Sequence, residues 1–237
     1  MYATARLVVV ITLQTRGIYR DRMPQADAVL FDLDGVLVDS RVPFARCVNG
    51  ALTANGLPVQ AADELHRFLG PPLHQTFMSL GAGALVQSCV DEYRRLYSAA
   101  AAEMTPVFGG IRETLSTLSV HVPLGVATSK PLALADPLLN ALGLRSYFAT
   151  VAGPDLETEH ESKGTTIARA LAQLPGVNHA VMVGDRNFDM VGAAENGLGA
   201  IGVLWGIGDE EELRDAGAHA LADSPEDLLG LLGFSTR

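Results

Sequence analysis

The 237-residue chain carries 17 Lys and Arg against 27 Asp and Glu, a formal charge of −10. Its basic residues are scattered along an acidic chain, without the clusters that displace counterions from a nucleic-acid backbone, so a nucleic-acid binder is excluded and any handling of phosphate calls for a cation. Hydrophobic residues make up 48% and charged ones 19%, which excludes disordered and low-complexity classes. Cys47 and Cys89 form neither a disulfide framework nor a C-x-x-C site, and a cytoplasmic setting is expected.

In chain order, the first feature is the apolar run Leu7 to Leu13, far short of the roughly 20 residues that span a bilayer. Q-T-R-G-I-Y-R-D-R follows it where a small-residue cleavage site would stand, so no membrane association is expected. Residues 1–22 are read as an extension with three alternatives open: an added edge strand, a frayed segment, or a start placed upstream of Met23.

From Ala28 onward, short apolar runs ending in polar residues alternate with helix-period segments, the pattern of βα units around a parallel sheet. Strands are expected at Ala28–Asp32, Leu124–Thr128, Phe148–Ala152, Ala180–Gly184 and Ala200–Leu204. Helices are expected at Ile111–Leu118, Pro131–Leu142, Lys163–Leu174, Asn187–Asn196 and Pro225–Leu232. Between the first two strands lie some 90 residues with helical periodicity alone: Arg41–Asn55, Ala61–Phe68, Pro72–Leu80 and Ala84–Met104. A βαβ crossover needs no such length. The fold expected is therefore α/β, a Rossmann-like parallel sheet core with an inserted helical cap, the core at residues 23–41 and 106–237 and the cap at residues 42–105.

Two strands end in carboxylates. Phe31-Asp32-Leu33-Asp34-Gly35 puts two acids one residue apart beyond the first strand, and Gly184-Asp185-Arg186-Asn187-Phe188-Asp189 ends the fourth. Ligands of open α/β sheets bind at the carboxyl ends of strands. Taken singly, Asp185 reads equally as a helix N-cap and Asp189 as a solvated helix residue, but together they point to a metal site. Thr128 and Ser129 place hydroxyls at another strand end, where they could hold an anion or simply cap the next helix. Lys163 opens a helix, where the macrodipole disfavours a cation, so a nearby negative partner is expected. Gly197 to Gly202 is a literal G-x-G-x-x-G, but it runs from helix to strand, the reverse of a dinucleotide site. Tyr93 and Tyr97, at i and i+4, are expected to pack within the cap.

Taken together, these segments resemble the haloacid dehalogenase superfamily of phosphatases. F-D-L-D-G-V is similar to the first motif, A-T-S-K to the second, Lys163 to the third and G-D-R-N-F-D to the fourth, in order, with Val36 where the family usually has Thr. Phe68-Leu69-Gly70-Pro71-Pro72-Leu73 resembles an element of the phosphoglycolate phosphatase and nucleotidase-like branch. The resemblance implies a Mg²⁺-dependent hydrolase of a small phosphomonoester, with phosphoglycolate and a nucleoside monophosphate as unranked candidates. It implies Asp32 as nucleophile and Asp34 as acid and base. Thr128 and Lys163 would hold the phosphate, with Gly35 and Ser129 as further substrate-binding positions. The metal would be held by Asp32, the backbone carbonyl of Asp34 and Asp185, with Asp189 in support. Two alternatives stand beside it: a phosphomutase on the same residues, and a protein-directed phosphotransfer or regulatory partner. Nothing in the sequence chooses between monomer and homodimer.

Overall fold

The computed structural model describes residues 26–156, 158 and 161–234. The expectations for residues 1–22 lie outside them. Six parallel strands form one sheet in the order β3-β2-β1-β4-β5-β6. They are β1 Ala28–Phe31, β2 Leu124–Ala127, β3 Thr150–Ala152, β4 Ala180–Gly184, β5 Gly199–Val203 and β6 Ala220–Ala222. In β1, β2 and β4 every residue is buried. Both faces of the sheet are therefore covered, which is why these strands read as unbroken apolar runs.

The side chains of the central strands alternate between two cores. Val29, Phe31, Val181 and Val183 face a layer that includes helices α5 (Ile111–Ser119), α6 (Leu132–Ala141) and α10 (Pro225–Leu231). Ala28, Leu30, Ala180 and Met182 face the other, with α7 (Lys163–Ala172), α8 (Asn187–Glu195) and α9 (Glu210–Asp215). The chain moves from β1 outward through β2 to β3, then crosses back to β4 and continues the other way. β1 and β4 are hydrogen-bonded neighbours at that reversal, where the carboxyl ends of the strands open a crevice.

Between β1 and α5 the described residues hold helices and no strand: α1 (Arg41–Ala54), α2 (Ala62–Leu65), α3 (Leu73–Ser79) and α4 (Val86–Met104). Helix α1 packs along α4, and α3 joins them. Tyr93 of α4 meets Phe44 and Phe77 edge-on at centroid distances of 5.9 and 6.5 Å and stacks on Tyr97 at 5.6 Å, so the tyrosine pair does pack inside this helical layer. The way in and the way out lie side by side: Val38 bridges to Val107, Asp39 N donates to Pro106 O, and Phe108 N to Leu37 O.

Several boundaries differ from expectation. The third strand begins at Thr150 rather than Phe148, because Arg145–Tyr147 forms a 3-10 turn that carries the chain to the sheet edge. Helix α2 is a single turn continued by a 3-10 turn at His66–Phe68. Strand β6 and helix α9 were not anticipated. No helix among the described residues is long and apolar enough to cross a membrane.

Candidate active site

Asp32 follows β1 directly, and its backbone N–H donates to Val183 O at 2.9 Å, which fixes it between the two strands at the reversal. Asp185 follows β4 in the same way. It is fully buried, and its Oδ2 accepts from Ile207 N at 2.8 Å while its Oδ1 has no donor. Space around Asp185 exists only because its neighbours lack side chains. A Cβ on Gly35 would lie 2.1 Å from Asp185 Oδ2, and one on Gly206 would lie 2.4 Å from its Cβ. Gly35 also has φ +86°, the left-handed turn that folds the chain back so that Gly35 N reaches Val38 O at 2.9 Å.

Asp189 enters from the first turn of α8, where its Oδ2 accepts Arg186 N at 3.1 Å. One carboxylate oxygen from each of Asp32, Asp185 and Asp189 lies within 4.8 Å of the others. Lys163 is the cation among them, its Nζ 2.8 Å from Oδ1 of both Asp32 and Asp189. Those two oxygens have no well-directed hydrogen bond and keep lone pairs for another ligand. The negative partner expected for a lysine at a helix start is thus present, twice over.

Burial dominates the charge states. It pushes Asp32 up to about 6, with Lys163 opposing and Asp189 adding. It pushes Asp185 well above the carboxylate range, with Asp189 and Asp32 adding. For Lys163 burial works against the charge, but Asp189 and Asp32 outweigh it and leave its pKa raised. Three buried carboxylates against one ammonium leave an excess of two negative charges if all ionise. Uncompensated charge is costly inside a protein, and an orphaned Asp185 oxygen beside it makes the set an all-oxygen donor group suited to a hard divalent cation.

Asp34 lies outside that cluster and turns its carboxylate another way. Lys130 Nζ donates to both its oxygens, at 2.9 and 2.7 Å, and the Ser40 hydroxyl donates to Oδ1. Thr128, buried at the end of β2, takes Lys130 N on its hydroxyl at 3.1 Å and is not the cap of α6, whose N-terminal position is Pro131. Nor does Asp185 cap α8, since Arg186 holds that position. Ser129 is exposed. Lys130, Ser40, Arg186 and Glu212 join the site without any role expected from the sequence. Arg186 joins three parts of the chain: its Nε pairs with Glu212 at 2.9 Å and its Nη1 donates to Leu69 O at 2.7 Å, beside Gly70. The only signals available were a lysine after a strand-end hydroxyl pair and an arginine after a strand-end aspartate.

A model of the haloacid dehalogenase-like hydrolases matches residues 29–203. Tyrosine-protein kinase PtkA of Mycobacterium tuberculosis is 38% identical over 182 residues, which cover 76% of this chain and 62% of the relative. The chain thus spans about three fifths of the length of that relative. A 5'-nucleotidase of Pseudomonas aeruginosa is 35% identical over 217 residues, covering 90% of this chain and 96% of the relative. Among solved structures, a haloacid dehalogenase-like hydrolase of Streptococcus pneumoniae superposes with a TM-score of 0.81 at 30% identity, over 88% of this chain and 99% of that one.

Proposed function

This chain belongs to the haloacid dehalogenase-like hydrolase family, and from that premise we propose that it is a phosphomonoester hydrolase dependent on Mg²⁺ and working through an aspartyl-phosphate on Asp32. The observation that carries this reading is the meeting of Asp32, Asp185, Asp189 and Lys163 where β1 and β4 end. Asp32, Asp185 and the Asp34 carbonyl would hold the cation, which would supply the charge that offsets the repulsion between carboxylates and a phosphate oxygen.

The chain's own residues divide the work. An Asp32 oxygen attacks phosphorus, the bond from phosphorus to the leaving oxygen breaks, and Asp34 protonates that oxygen. In the second half, Asp34, now ionised, takes a proton from water as the water attacks phosphorus and releases Asp32. Lys163, ordered by Asp189, and Thr128 hold the other phosphate oxygens, with Gly35 and Ser129 beside them. The helical stretch 42–105 is a cap on a core of residues 23–41 and 106–237, excluding water and contacting the leaving group. The substrate class is a small phosphorylated metabolite, phosphoglycolate-like or a nucleoside monophosphate. Relatives named phosphoglycolate phosphatase and 5'-nucleotidase support the two alike. The setting is cytoplasmic, and the chain acts as a monomer or homodimer.

The test is phosphate release from phosphoglycolate, nucleoside monophosphates and sugar phosphates, in Mg²⁺ and in EDTA, with Asp32→Asn as control. Release that needs Mg²⁺ and disappears in a folded Asp32→Asn variant is expected. Release that survives EDTA, or that persists near the parent rate in Asp32→Asn, overturns the reading. One specific finding favours a second reading: a relative named a tyrosine-protein kinase. On that second reading a protein hydroxyl would attack the aspartyl-phosphate in place of water, giving its proton to Asp34, and phosphate would appear on protein rather than in solution.

A further inference from the structure

Lys130 stands where the catalytic end of the sheet meets the helical layer. Its side chain is only 9% exposed, and it gives two of its three ammonium hydrogens to Asp34. The same Nζ lies 4.5 Å from the ring centroid of Tyr97 on α4, within cation–π range. The ammonium is therefore clamped between a core carboxylate and a ring carried by α4. Burial works against its charge, but Asp34 and Tyr97 outweigh it.

The ring has little freedom of its own. It stacks on Tyr93, which is wedged against Phe44 of α1 and Phe77 of α3, so its place follows the packing of the helical layer as a whole. The Tyr97 phenol and the Thr105 hydroxyl are buried together at this junction, and the phenol helps hold the Lys130 ammonium in its charged form. Thr105 directly follows α4, where the chain returns to the core.

We infer that Lys130 is a positioning residue through which the placement of α4 sets the Asp34 carboxylate. The Tyr97 ring holds the ammonium against Asp34, and displacement of α4 loosens the pair. The inference rests on Asp34 being the group that protonates the leaving oxygen.

Two esters separate this role from a general one. The leaving oxygen of p-nitrophenyl phosphate departs without a proton, whereas that of glycerol 2-phosphate needs one, and kcat/KM reports the first half-reaction in both cases. Lys130→Met is expected to change the ratio of kcat/KM on the alkyl ester to kcat/KM on the aryl ester by about tenfold or more. Tyr97→Leu should repeat that change in weaker form, and Tyr97→Phe, which keeps the ring and loses only the hydroxyl, should lie closer to the parent than Tyr97→Leu; intact aryl-ester activity reports the fold. Equal losses on both esters in Lys130→Met, or an unchanged ratio in Tyr97→Leu, overturn the inference. Acylation of Lys130 by an amine-reactive ester, read by mass spectrometry, tests the clamp without turnover. Labelling should rise severalfold in Tyr97→Leu over Tyr97→Phe, and equal labelling refutes the clamp. A parent inactive on both esters and on phosphoglycolate, nucleoside monophosphates and sugar phosphates, with Lys130 protected, would instead refute the phosphatase reading on which the inference rests.

Discussion

Removing the cation is expected to make the fold less stable as pH rises from acid to neutral. Burial holds Asp32 at about 6 against an ordinary value of 3.8, so between these values the folded chain keeps a proton that the unfolded chain has lost. Stability is then highest below the ordinary value and falls as pH climbs to the folded one. The difference of roughly 2 units corresponds to about 3 kcal/mol, of which ~2.5 kcal/mol falls between pH 4 and pH 7.5. Asp185, raised by burial and by Asp189 and Asp32, acts in the same direction. Asp27, lowered by the Asn178 N–H, and Asp39, lowered by Arg41, contribute stability that is lost only below the ordinary value, outside this window. A cation among the carboxylates favours their ionised forms and removes the penalty. At about 2–4 °C per kcal/mol for a chain of this size, Tm in EDTA should drop by about 5–10 °C from pH 4 to pH 7.5. Mg²⁺ should restore most of that at pH 7.5 and little at pH 4, and Asp32→Asn should flatten the slope in EDTA. A Tm in EDTA that is level or rising across the window, or an equal Mg²⁺ effect at both ends, would refute the reasoning.

Gly35→Ala should cost about 1–3 kcal/mol from its left-handed backbone alone and displace Asp185, whose Oδ2 its Cβ would meet at 2.1 Å. Urea unfolding should show the first effect and loss of Mg²⁺-dependent phosphate release the second; a stable, fully active variant would count against the cradle. Arg186→Ala removes the Glu212 pair and the bond to Leu69 O, at about 1–2 kcal/mol. Steady-state kinetics on the best ester should show KM rising more than kcat falls, because the link runs to the Gly70 loop rather than to the carboxylates. A collapse of kcat at unchanged KM would place Arg186 elsewhere in the reaction.

What the sequence made legible follows burial. β1 and β4 are covered on both faces, so Ala28–Phe31 and Ala180–Gly184 stand out as apolar runs whose ends point to Asp32 and Asp185. Lys163 was legible because a cation at a helix start needs a reason. Helix α9 was not: Glu210–Asp215 buries only Leu213, and one apolar residue makes no stripe. β6, three residues with two only half-buried, is too short to show alternation. The role of Lys130 was not legible, because a lysine after Thr-Ser looks the same whether its ammonium faces water or, as here, a carboxylate 96 residues earlier in the chain. Pairings across such separations are written in the packing, and no local pattern carries them.

The bridge between Val38 and Val107 gives the helical layer a single doorway into the sheet. Because entry and exit already touch, what hangs between them can be lengthened, shortened or exchanged without altering the register of β1 against β2. The doorway opens beside Asp34, which bridges to Val38, so on the function proposed above anything mounted there would face the leaving group. Such an arrangement is modular: the helical layer can be varied while the carboxylates at the ends of β1 and β4 stay where they are.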